Sequence, residues 1–155
     1  MLKSLSLLVL IASNKIKLVV PMRFSTYVEV PKSNLEISHE TRVIMLGSCF
    51  AQNIGQKLME CKFPVDINPF GILYNPFSIC EALDYICSDR LFDEACEEIF
   101  FHSDMWHSWL HHSDFSRSER AGVVDAVNSR LLVAKDAFAS LDVLMLTFGT
   151  AYVYR

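Results

Sequence analysis

The chain has 155 residues, is 52% apolar and contains only five Gly and five Pro. That is enough apolar material for one globular core and too little low-complexity sequence for a disordered tail. A net charge of −4 without any block of Lys or Arg excludes a duplex-binding surface, which needs clustered cations against the phosphates.

The five cysteines, Cys49, Cys61, Cys80, Cys87 and Cys96, are odd in number and contain no CxxC pair. Neither a zinc knuckle nor a closed disulfide framework is implied, and a reducing compartment fits. At the start of the chain, Met1-Leu2-Lys3 and the apolar residues 5–12 have the charged head and short apolar core of a secretory signal, with Ala12 and Ser13 as small residues. Ile11 is bulky for a cleavage site, however, and a second basic and apolar stretch, residues 15–20, follows at once. The apolar run is too short to span a bilayer. Two readings stand: residues 1–21 are an upstream extension before a cytoplasmic domain starting at Met22, or residues 1–13 direct export.

Residues 24–30 read as a strand or extended arm that Pro31 ends, and a polar stretch follows. The apolar residues 42–46 predict a buried strand, and Gly47-Ser48-Cys49-Phe50-Ala51 follow directly and open a helical pattern over 51–62. Glycine lets the chain turn sharply there because it tolerates positive φ. Ser48 and Cys49 then project at the carboxyl end of a strand, the edge where open α/β sheets bind ligands. The free N–H groups of the following helix point at the same spot and favour negative charge there. Cys49 also has a plain reading as a small buried hydrophobe.

In that helix Ile54, Leu58 and Cys61 share a face, and Gly55 allows close approach to the sheet. Residues 63–68 predict a second strand ending in the turn-forming Asn68-Pro69-Phe70-Gly71. A second Asn-Pro-Phe at 75–77 starts a helix over 76–87, with proline in its first turn. Residues 91–100 read as another short helix. Residues 101–116 hold both tryptophans, Trp106 and Trp109, and four of the five histidines, and read as a loop or extended arm. A long helix over 121–141 has Val124, Val127, Leu131, Ala134, Phe138 and Leu141 on one stripe. Residues 143–148 are a third buried strand, ending at Gly149-Thr150-Ala151. The order strand, helix, strand, helices, strand implies an α/β fold with a parallel sheet.

With Gly47–Ala51 in this setting, the Asn68–Pro76 segment, the Trp106–Ser116 segment and Thr147–Ala151, residues 24–155 resemble the N-terminal half of the GSCFA family, which is related to the SGNH/GDSL hydrolases. The resemblance implies a flavodoxin-like three-layer α/β/α fold and, by analogy, ester hydrolysis or acyl transfer on a small-molecule or glycan acyl ester. No cofactor is expected with it, and the charge and the shortness of the apolar run speak against nucleic acid and a membrane span as partners. The superfamily's first motif is Gly-Asp-Ser, and laying it on this chain puts Cys49 on the nucleophile and Ser48 on Asp; a register one residue off returns Ser48. Gly71 falls on the glycine whose N–H helps bind the oxyanion. Gly149 and Thr150 stand where Gly-x-Asn-Asp is expected, so the Asn donor is absent.

The superfamily's late Asp-x-x-His has no counterpart before Arg155. The resemblance therefore implies a truncated domain with its base further on, an unpaired edge on the third strand and little turnover from these residues alone. Asp104 and His107 have the right spacing but precede the Gly149 strand, which favours a lining or structural role. For His107, His111 and His112 three readings stay open: lining of the active site, ordinary core or surface histidines, or with His102 a metal site that no HExxH or Cys partner supports; Asn75 either lines the site or only starts its helix. The alternative to an enzyme is a non-catalytic domain on the same fold, holding a carbohydrate or acyl ligand near Gly71 and His111. A partial gene product without an independent role is a third reading.

Overall fold

A computed structural model describes residues 9–12, 15–18 and 28–153. Of the strand expected over 24–30, residues 24–27 lie outside the described residues and 28–30 form no strand. The contacts divide the chain into two units, Met1–Leu35 and Glu36–Arg155. In the first, β1 (Val9–Ala12) and β2 (Lys15–Leu18) pair antiparallel with Val9 opposite Leu18.

The second unit is a three-layer α/β/α fold of the flavodoxin-like kind. Its sheet has the order β4-β3-β7 and every pairing is parallel. The central strand β3 (Val43–Gly47) is buried along its whole length. This suits an apolar run covered on both faces, where each large side chain contributes roughly 1.5–3 kcal/mol. Val43 and Met45 point to one face and pack with Ala51 and Leu58 of α1 (Cys49–Glu60). Ile44 and Leu46 point to the other, into a cluster built by α2 (Pro76–Cys87) and α3 (Arg120–Ala139).

Helix α1 starts two residues earlier than its apolar pattern predicts, because Ser48 caps it and Cys49 is its first helical residue. Its buried positions are Ala51 and Gly55, with Leu58 half-buried, whereas Ile54 and Cys61 face solvent. Gly55 decides the rotation: a Cβ there would lie 2.8 Å from Ile67 Cγ1, so the helix sits close on β4 (Val65–Ile67) at this residue. Helix α2 spans the residues its pattern predicts. Asn75 Oδ1 accepts the Ser78 N–H at 2.9 Å and Pro76 occupies the first turn. Lys135 of α3 reaches back to donate to the carbonyls of Ser88 and Arg90, placing a cation at the C-terminal end of α2. In α3 the fully buried residues are Val123, Val127, Leu131 and Ala134, so Val123 stands at the centre of the stripe and Val124 at its margin.

Residues 91–98 are turns and coil instead of a helix, and the chain then forms β5 (Ile99–His102) and β6 (Met105–Ser108). Tertiary bonds explain this. Asn128 of α3 holds the backbone of Phe92 from both sides, accepting its N–H at 2.9 Å and donating to its carbonyl at 2.8 Å. Asp93 Oδ1 takes the Ala95 N–H at 2.8 Å, the local bond that competes with helix. The segment expected as a loop is therefore an antiparallel hairpin whose turn residues, Ser103 and Asp104, both have positive φ. A short 3-10 turn, Ser113–Phe115, follows it.

The third strand, β7 (Val143–Thr147), is not fully buried. Leu144 and Leu146 are 36% and 38% exposed, whereas Ile44 and Leu46, their partners in register, are at 1% and 0%. The cluster that α2 and α3 build over β3 contains neither leucine. No helix among the described residues is long and apolar enough to cross a membrane.

Candidate active site at the β3–α1 turn

The turn after β3 is fixed from every side. Gly47 has φ +137°, and a Cβ there would lie 2.0 Å from the Thr147 carbonyl oxygen, so only glycine fits. Its N–H donates to Asn68 Oδ1 at 2.9 Å and its carbonyl accepts the Leu73 N–H at 2.9 Å. Asn68 is itself buried in a left-handed conformation, and its amide also donates to Gln52 Oε1 at 3.0 Å. One side chain thus ties the end of β3 to the first turn of α1. The sequence offered Asn68 only as a turn former.

Ser48 is 7% exposed and its hydroxyl is engaged. Ser48 Oγ accepts the Phe50 N–H at 3.3 Å as the helix cap and lies 3.1 Å from Thr147 Oγ1. Its N–H donates to both Thr147 O and Thr147 Oγ1. Cys49, the next residue, is exposed at the first position of α1.

Residues 42–155 match the model of the GSCFA family. The chain belongs to the GSCFA family. No curated protein and no solved structure matches it.

In this GSCFA domain the glycines carried over as oxyanion donors have their N–H groups bonded inside the chain. Gly71, at φ +78°, donates to Asn68 O at 2.7 Å, closing the turn that follows β4. Gly149 and Thr150 both donate to the Tyr74 carbonyl, at 2.7 and 3.0 Å. Gly149 is nonetheless next to the site: a Cβ on it would lie 2.9 Å from Tyr74 and 3.7 Å from Ser48 Cβ. These two residues fasten the connection after β4 to the end of β7.

Asn75, His111, His112 and Thr150 come together in one cleft of about 440 Å³. Neither Ser48 nor Cys49 lines it. The imidazoles have distinct uses. His111 is packed between Phe70, Phe92 and Phe115, its Nδ1 lies 2.9 Å from Ser108 Oγ, and burial pushes its pKa down to about 3. It is therefore neutral at physiological pH. His112 Nδ1 lies 3.1 Å from Asp114 Oδ2, within ion-pair reach but at an angle that makes no hydrogen bond. A Cβ on Gly71 would strike His112 Cβ at 2.2 Å, so the two segments touch at that glycine.

His107 is outside the cleft. Its Nε2 meets the His102 carbonyl at 3.0 Å and so carries the proton, leaving Nδ1 to accept from Ser116 Oγ at 2.7 Å. Nε2 ties β6 to the end of β5 within the hairpin and Nδ1 ties the hairpin to Ser116 in the turn behind it, which is a structural use. His39 Nε2 bonds the Cys61 carbonyl and stacks on Phe63. No imidazole among the described residues hydrogen-bonds the Cys49 thiol. Nor do three His, Cys, Asp or Glu side chains among them gather into a metal-binding set.

Proposed function

We propose that this GSCFA domain is an acyl-handling enzyme, an ester hydrolase or acyltransferase, with Cys49 as nucleophile. The observation that carries the reading is the contrast at the turn: Ser48 is buried with its hydroxyl engaged as a cap, and Cys49 is exposed on the first residue of α1. Cys49 Sγ gives its proton to a general base and attacks the carbonyl carbon of an acyl ester. The alcohol leaves with a proton and a thioester remains, which water or an acceptor hydroxyl then cleaves to free the thiol. N–H groups at the start of α1 support the oxyanion. By analogy with the SGNH hydrolases the base is the histidine of an Asp-x-x-His motif. The ester is borne by a small molecule or a glycan, and the five free cysteines favour a reducing compartment, the cytoplasm.

Mass spectrometry of the complete protein after exposure to p-nitrophenyl acetate tests this. One acetyl group on the peptide containing Cys49 is expected, absent in Cys49→Ala and present in Ser48→Ala. An adduct on Ser48, or hydrolysis unchanged in Cys49→Ala, overturns the assignment.

A further inference from the structure

The cleft that holds Asn75 and His112 continues into a second one of about 700 Å³, and the two share Asn75, Ser78 and Trp109. Trp109 is 71% exposed, which is unusual for the largest apolar side chain. It is also held flat: its ring stacks on Phe100 at 3.9 Å with 14° between planes, and its backbone N–H is anchored on the Glu98 carbonyl at 2.9 Å. Phe77 and Tyr74, both exposed, stand on the same openings. A rigid aromatic surface of this kind, with a few polar groups converging on it, is the form of a ligand site.

The polar groups narrow the ligand. Among the described residues no Lys or Arg lines either cleft, Glu81 adds a negative charge, His111 is neutral, and His112 already faces Asp114, so the lining is a poor match for a phosphate, sulfate or carboxylate. Ser78 Oγ accepts from Asn75 Nδ2 at 3.0 Å and so keeps its own proton to donate. Glu81 supplies acceptor oxygens only. The ligand must therefore offer hydroxyl donors as well as acceptors around an apolar face. A sugar ring does this, with its C–H face on the indole and its hydroxyls at the rim. A proline-rich strand offers carbonyl acceptors and few donors, and leaves Glu81 unanswered.

We propose that this joint cleft is a subsite for an uncharged sugar ring, stacked on Trp109 and hydrogen-bonded through Asn75, Ser78 and Glu81. It rests on the acyl-transfer reading only in naming a glycan as the bearer or acceptor of the acyl group. The test is titration of the protein, without acyl donor, with cellotriose, maltotriose, mannotriose and triacetylchitotriose, followed by tryptophan fluorescence and calorimetry. At least one should bind saturably, at least tenfold more weakly to Trp109→Ala and measurably to Trp109→Phe. Phe77→Ala, on a different element, should weaken binding severalfold with an unchanged melting temperature. Absence of binding to all four sugars overturns the proposal, as does preferential binding of octanoate or decaproline, or binding indifferent to Trp109 and Phe77. An acetyl adduct on Cys49 without sugar binding would defeat this proposal alone, and sugar binding without an adduct would defeat only the acyl-transfer reading.

Discussion

The turn after β3 and the imidazole-rich stretch after β5 both hold the residue types from which catalytic sites are made, and the fold uses them differently. At the turn, Gly47, Ser48 and Asn68 are absorbed into a hydrogen-bonded frame and one reactive side chain, Cys49, is left exposed. In the stretch from His102 to His112 two imidazoles are built into packing: His111 is a ring in an aromatic core and His107 is a two-sided brace. A residue's chemistry is available only when its neighbours do not need it for structure. Counting histidines therefore overstates the second region, and one cysteine understates the first.

The largest test of this contrast is Gly47→Ala. Its Cβ would overlap a backbone oxygen at 2.0 Å in a conformation that disfavours L side chains, so a loss of about 4 kcal/mol or more is expected in urea unfolding. A loss under about 1 kcal/mol would mean that the turn is not the rigid frame described.

Next is the acid response of His111. The unfolded imidazole takes a proton near 6.5, whereas the folded one refuses it until about 3. Its contribution is therefore complete above pH 6.5 and is lost as pH falls through that window, at roughly 1.4 kcal/mol per pH unit. Carboxylates titrate in the same range, so the informative quantity is the difference from His111→Phe, whose stability should fall less steeply by about one proton. Equal slopes would place His111 outside the core.

The smallest expected effect is that of His107→Phe. Its two hydrogen bonds are half-exposed, and their loss should cost about 1 kcal/mol in thermal unfolding. It should leave acetylation of Cys49 unchanged. A hundredfold drop in acetylation would move His107 from brace to catalytic group.

Much of the frame was legible because its causes are local. Val43–Leu46 is an apolar run followed by glycine, and Asn75-Pro76 carries both the cap and the first-turn proline of α2, whose span was read correctly. Where a distant side chain intervenes, the reading failed. Asn128 unwinds the helix expected over 91–100 by capturing Phe92 from 36 positions away. Gly55 makes the close approach to the sheet expected of it, against Ile67, but Ile54, expected on the core face, is left exposed. Of the candidate site residues, Asn75, His111, His112 and Thr150 meet in one cleft, Ser48 and Cys49 sit at the turn, and His107 stands apart.

The sequence alone determined the β3–α1 turn, the parallel α/β order and the family, because a glycine at positive φ, a helix cap and an apolar run act over a few residues. Tertiary structure alone decided that Ser48 is buried while Cys49 is open, that His111 is neutral, and that β7 keeps Leu144 and Leu146 half-exposed beside a buried β3. Burial and hydrogen-bond partners depend on which elements lie across the sheet, and no residue type or spacing along the chain encodes them.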